Sequence, residues 1–313
     1  MKRISIILLV FSFLFQAPCA FSADKLVVLL DWFANPDHAP LFVAEEKGFF
    51  KQQGLDVELI GPADPSDPPK LVAAGKADIA ITYQPQFLQQ VEQGFPLLWL
   101  GTLINKPLNC LVVLQDGPIH SLADLKNKRI GYSNSGTNSI MLNVMLKKYG
   151  LDLKDVESIN IHYDLTQALL SGKVDAVTGM MRNFEIIQMQ LAGKPAKAFF
   201  PENNGIPTYN ELIFVVQKDQ AQADKFKRFL RAITQGVNYL HQYPNETWQV
   251  FAKTHPELNN ELNHRAWIGT LPYFAHDPGS LNTNEFMNFA HFMQQNGLIK
   301  QVKPLSQYAV SKE

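Results

Sequence analysis

Two stretches of this 313-residue chain follow one pattern, and the repetition restricts the fold more than any other feature. The first reads strand (residues 25–30), loop, helix (41–53), Gly54-Leu55-Asp56, strand (57–60). The second reads strand (129–132), loop, helix (139–149), Gly150-Leu151-Asp152, strand (158–163). Each glycine falls where a helix needs a left-handed C-terminal residue. The echo continues further along: Leu71-Val72-Ala73-Ala74-Gly75-Lys76-Ala77-Asp78-Ile79-Ala80 matches Leu169-Leu170-Ser171-Gly172-Lys173-Val174-Asp175-Ala176-Val177 in type and order. Strand, helix and glycine stop are also the general grammar of α/β proteins. Read as a duplication, the pattern gives two α/β lobes facing each other. The apolar runs 110–114 and 212–216 then serve as crossings, so that residues 23–114 and 216–313 form lobe one and 115–215 form lobe two. Helical periodicity over 221–239, 245–253, 257–270 and 284–296, punctuated by Pro244, Pro256, Pro272 and Pro278, sends the C-terminal third back onto lobe one.

The N-terminus does not belong to this pattern. Lys2 and Arg3 precede an unbroken apolar run over 4–15, and small residues follow at Ala20, Ser22 and Ala23. That is a secretory signal peptide over residues 1–22, too short to span a bilayer, and it directs the mature protein to the periplasm. Cys19 lies within it, with Pro18 and Gln16 fitting a lipidation site poorly. Its removal leaves Cys110 alone, in an apolar run, which excludes an intramolecular disulfide or a thiolate metal cluster. A formal charge of −1 without a Lys/Arg-dense stretch argues against nucleic acid as a partner, because phosphate binding needs clustered cations.

No catalytic constellation stands out. The eight histidines show no metal-ligand spacing, and no metal or cofactor is expected. Gly131-Tyr132-Ser133-Asn134-Ser135-Gly136 lacks the spacing of a nucleophile elbow. It reads as a strand-to-helix loop. There, Ser135, Gly136 and Thr137 either meet polar ligand atoms at a helix N-terminus, or Ser135 and Thr137 simply cap the helix. Binding features are richer, and they gather at strand ends. Asp31 and Trp32 close the first strand with a carboxylate and a flat face, ahead of the turn Asn35-Pro36-Asp37-His38. His38 either contacts ligand or braces that loop. Tyr83 and Gln84 follow the strand 79–82, and Tyr209 and Glu211 precede the return run. Aromatics and carboxylates at one sheet edge suit a small flat ligand held by stacking and a few polar contacts.

Several runs carry a resemblance. They are Asp31-Trp32, Asn35-Pro36-Asp37-His38, Lys47-Gly48-Phe49-Phe50, Pro62-Ala63-Asp64-Pro65-Ser66-Asp67-Pro68, Tyr83-Gln84-Pro85 and Pro207-Thr208-Tyr209-Asn210-Glu211-Leu212. Together they resemble the thiamine-pyrimidine family of type II periplasmic binding proteins over nearly the whole mature chain. The resemblance implies a two-lobed α/β fold with two hinge crossings. It also implies a monomer that hands a pyrimidine to an ABC permease and its ATPase. Within the family the chain is similar to the ThiY-type formylaminopyrimidine-binding branch. The related fungal pyrimidine phosphate synthases use a donor histidine and a cysteine-rich motif. Here Gln86 stands at the histidine's position and residues 207–212 contain no cysteine. On the binder reading Trp32, Tyr83 and Tyr209 pack on the ring and Glu211 accepts from an exocyclic amine, with Asp31 or Asn35 adding another bond.

Overall fold

The computed structural model describes residues 23–310, apart from the side chains of 135–139; the expected signal peptide lies outside the described residues. The strands are β1 (Asp24–Leu29), β2 (Leu55–Ile60), β3 (Ile79–Thr82), β4 (Leu97–Ile104), β5 (Asn109–Leu114), β6 (Arg129–Tyr132), β7 (Glu157–Asn160), β8 (Ala176–Met181), β9 (Ala196–Phe199) and β10 (Leu212–Gln217). They form two five-stranded sheets of identical plan, ordered β2-β1-β3-β10-β4 and β7-β6-β8-β5-β9. In each sheet the first three strands are mutually parallel. The fourth runs antiparallel to both its neighbours. The internal echo of the sequence is therefore an echo of topology, and the two-lobed α/β fold is present.

The central strands are apolar on both faces because helices cover both sides. Every residue of β3 and β4 is buried. The loop after β1 is held from behind by helix Ala39–Glu46, which lies on the long helix Asp224–Gln242. That contact is close. A Cβ on Gly236 would fall 2.4 Å from the Pro40 carbonyl oxygen, so only glycine lets the two backbones meet.

Sheet membership moves the crossings. Asn109–Leu114 was expected to close lobe one, but it pairs with β8 and β9 in the second sheet. Leu212–Gln217 pairs with β3 and β4 in the first. Each inserted strand satisfies the backbone groups of two neighbours, which a free crossing could not do. The chain thus passes outward at residues 105–108 and returns just before Leu212.

Glu211 ties these two passages together. Expected to accept from a ligand amine, it is instead fully buried. Its Oε2 accepts from the backbone N–H of Leu108 (2.6 Å) and of Asn109 (2.8 Å), and from the Tyr209 hydroxyl (3.1 Å). Burial pushes its carboxyl up to about 7 despite these bonds. Gln84 makes a second tie, its Oε1 accepting from Asn210 N at 2.8 Å.

This arrangement makes Glu211 a structural group. Glu211→Ala should lower the melting temperature of the ligand-free protein, because each orphaned buried N–H costs about 1–3 kcal/mol. Glu211→Gln keeps an acceptor oxygen and should melt close to wild type. Thermal denaturation followed by circular dichroism tests both, and an unaltered Glu211→Ala would show that the tie contributes nothing.

Candidate functional site

The carboxyl ends of β1, β3, β6 and β8 face one narrow cleft between the sheets. Its first-lobe wall is Asp31, Trp32, Asn35, Asp37 and Tyr83; its second-lobe wall is Ser133, Leu165, Gly179, Met181, Phe184 and Glu185. This is the sheet edge at which ligands of open α/β folds bind.

The first wall is rigid for reasons that start in its sequence. Asn35 caps the short turn Pro36–His38, its Oδ1 accepting from Asp37 N at 2.7 Å, while Pro36 presets the backbone. His38 is fully buried and its Nε2 lies 2.9 Å from Asp31 Oδ1. The bracing alternative for His38 is the one the geometry supports. The Tyr83 hydroxyl donates to the other oxygen of Asp31 at 2.7 Å, which fixes the phenol ring on the wall. Trp32 is a first-lobe residue that belongs to the hydrophobic cluster of the second sheet, with Cys110, Val112, Ile161 and Leu165 among its members. It meets the Tyr163 ring edge-on at 4.5 Å. Phe33 stands half-exposed beside both rings.

Two carboxyl groups in this cleft have unusual proton affinity. Asp37 is pushed up to about 6 by burial, with the neighbouring His38 and the Asn183 amide working against the rise. Glu185 is pushed up to about 7, again by burial, and the charge of Asp37 adds to it. The Glu185 Oε2 accepts from Met181 N at 2.7 Å. No Lys or Arg lines the cleft among the described residues. The site can therefore accept hydrogen bonds from amines. Near neutrality it can also give or take a proton. Among the described residues no three His, Cys, Asp or Glu side chains converge as a metal site.

The site residues expected from sequence separate into three groups. Asp31, Trp32, Asn35 and Tyr83 line the cleft. His38, Gln84, Tyr209 and Glu211 do not; they are fully buried behind it. Tyr209 packs on Phe289 at 5.1 Å rather than facing a ligand, since its hydroxyl is held by Glu211. Ser135, Gly136 and Thr137 begin helix Ser135–Lys147, and their side chains lie outside the described residues. Sequence reasoning missed Asp37 and the second-lobe wall apart from the loop after β6, where Ser133 lines the cleft. A signal for the latter existed. The echo places Met180 and Met181, at the end of β8, where Tyr83 and Gln84 stand after β3, and a few residues further on it reaches Glu185.

A family model described as NMT1/THI5 like matches residues 35–247. A Haemophilus influenzae protein named for thiamine biosynthesis is 48% identical over 295 residues, 94% of each chain. The formylaminopyrimidine-binding protein of Halalkalibacterium halodurans is 30% identical over 271 residues, 84% of this chain and 82% of that one. The 4-amino-5-hydroxymethyl-2-methylpyrimidine phosphate synthase of Uromyces fabae is 29% identical over 269 residues, covering 82% and 78%. Among solved structures, the alkanesulfonate-binding protein SsuA of Xanthomonas axonopodis, bound to MOPS, has a TM-score of 0.69 at 16% identity, covering 90% of this chain and 95% of that one. That likeness establishes the fold alone.

The perturbed Glu185 gives a signed pH dependence. Its folded value lies above the ordinary 4.5. The stability it contributes is fully present below the unfolded value, and is lost as pH rises through the folded value near 7. Glu185→Gln has no proton to lose. The melting temperature of Glu185→Gln relative to wild type should therefore rise steadily between about pH 4.5 and pH 7.5. A flat difference across that window would mean that Glu185 titrates normally.

Proposed function

The chain belongs to the NMT1/THI5-like family, and from that premise we propose that it is an exported solute-binding protein that captures a thiamine-derived pyrimidine. The reading has the protein act as a monomer in the periplasm and deliver its ligand to an ABC permease and its ATPase. The observation that carries it is the cleft itself: aromatic Trp32 and Tyr83 beside the carboxyl groups of Asp37 and Glu185, with no lining cation.

A 4-aminopyrimidine presents an amine donor next to a ring-nitrogen acceptor. A carboxyl group whose proton affinity is centred near 7 matches both positions. Glu185 accepts from the amine through one oxygen, and the proton shared with the ring nitrogen lies on either partner. Such charge-assisted pairs are short and strong, and two parallel bonds also fix orientation. Asp37, across the cleft, accepts from a second donor. Trp32 and Tyr83 cover the ring faces, and burial of the flat ring supplies the apolar share of the affinity.

The pyrimidine synthases of the family supply the competing reading. Its requirement for a donor histidine meets Gln86 here, whose Oε1 accepts from Asn134 at 2.9 Å. An amide cannot furnish imidazole atoms, so this feature supports the binder.

Isothermal titration against an aminopyrimidine panel tests the proposal, with 4-amino-5-hydroxymethyl-2-methylpyrimidine and its formylamino analogue at its head. Wild type should bind at least one member, and should ignore alkanesulfonates, which three nearby carboxyl groups repel. Glu185→Gln should weaken binding by about ten- to a hundredfold, the equivalent of one charged hydrogen bond. Trp32→Ala should lose a comparable factor. Silence across the panel, or full affinity in Glu185→Gln, would refute the assignment.

A further inference from the structure

The lobes are joined by polar bonds as well as by the two crossings. Asn183 follows β8 in the second lobe and reaches across to the first. Its Nδ2 donates to Asp37 Oδ1 and, at 2.7 Å, to Thr270 Oγ1. Asn134 follows β6 and also reaches across, its Nδ2 donating to Gln86 Oε1 at 2.9 Å and to the Pro65 carbonyl at 3.3 Å. Each asparagine stands two residues past the end of its strand, so the strands β6 and β8 present them along the same edge. They flank the cleft: Asn134 is next to the lining residue Ser133, and Asn183 is next to the lining residues Phe184 and Glu185.

Neither amide is a surface contact. Both asparagines are buried, as are Asp37, Gln86 and Thr270. A buried polar group must keep its partners, so each bond holds only while the lobes are together. The amide oxygen of Asn183 has no hydrogen-bond partner among the described residues, so what this side chain contributes rests on its two donors. One of those donors meets a carboxylate, the stronger kind of bond. That carboxylate, on Asp37, also lines the cleft.

We propose that Asn134 and Asn183 form a two-point clasp that holds the lobes shut and thereby sets how long a ligand stays in the cleft. They are positioning residues, and the ligand-residence part of the inference rests on the function proposed above. Asp37 joins the clasp to the site, because a ligand donor that orders its carboxylate also orders the acceptor for Asn183. Closure and occupancy then favour each other.

Distances between the lobes test the clasp without any ligand. Spin labels at Lys70→Cys and Asp164→Cys, exposed positions on opposite lobes, report opening, while Cys110 is buried. The ligand-free parent should show a short-distance population. Asn134→Ala/Asn183→Ala should reduce the ratio of short to long distances by about tenfold or more, since it removes one charged and three neutral bonds between the lobes. Identical distributions would overturn the clasp.

Asn183→Asp keeps the shape and adds a sign test. It sets a second carboxyl against Asp37, which already faces Asp31 and His38 from its own loop and Glu185 from the second lobe. Thr270, from helix Glu261–Thr270, adds no charge. At about pH 8 the two carboxylates repel and the short population should fall below wild type. Near pH 5 they share a proton and the deficit should shrink. A deficit that ignores pH would overturn the placement of Asn183 against Asp37. With 4-amino-5-hydroxymethyl-2-methylpyrimidine as probe, the double variant should release ligand about tenfold faster with an unaltered association rate. An equal release rate would overturn the residence claim. Wild type that binds no aminopyrimidine would count against the proposed ligand, and the label distances would still decide the clasp.

Discussion

The carboxylate of Glu211 is the interaction on which the rest of the architecture depends. Two lobes of the same plan must be connected twice, and each connection leaves backbone donors where no strand can pair them. Glu211 answers both problems with one group. It lies on the returning passage and accepts from Leu108 and Asn109 on the outgoing one. Its burial raises its proton affinity. The bonds are still worth keeping, because two buried N–H groups left bare would cost more than one strained carboxyl. With the passages fixed side by side, the carboxyl ends of both sheets face one another, and the cleft follows.

Within that cleft the three carboxyl groups are held by different means, and their chemistry differs accordingly. Asp31 is occupied on both oxygens, by Tyr83 and by His38, and works as an anchor for the wall. Asp37 is divided between the cleft and the amide of Asn183 across the gap. Glu185 keeps acceptor capacity beyond its bond to Met181 N. Burial acts on Asp37 and Glu185 in the same direction, raising both toward neutrality. Three carboxyl groups, with no lining Lys or Arg among the described residues, suit a donor-bearing heterocycle better than an anion.

Much of the fold was legible because duplication is a sequence property. The strands Arg129–Tyr132 and Ile79–Thr82 stand where the echo put them. β4 was missed because, unlike the equally buried β3, it lies outside the echoed segments and shows no alternation of its own. The helix expected over 41–53 is broken at Gly48, whose φ of 71° stops one helix and starts the next. The site was half legible. Asp31, Trp32 and Tyr83 follow apolar strands at the cleft edge, and strand ends can be read from sequence. Glu211 also sits at that edge, since Ile213 pairs with Thr82 at the end of β3. The sequence cannot tell where its side chain turns. That is decided by the bare N–H groups of Leu108 and Asn109, about a hundred residues away. The same limit explains His38, whose partner Asp31 claimed it first.

Gln86 shows how firmly one side chain behind the cleft is committed to holding the two lobes together. The position opens helix Gln84–Glu92, directly behind the cleft. A side chain there that must react needs freedom to meet a bound partner, and a nitrogen-rich ring to give. Gln86 has neither. Its oxygen is shared between Thr82 and Asn134, a bond within its own lobe and a bond to the other. The side chain is committed to holding two surfaces together. A single substitution to histidine would therefore remove an interlobe acceptor before it supplied any chemistry. Any replacement at this position has to rebuild the contact made by Asn134.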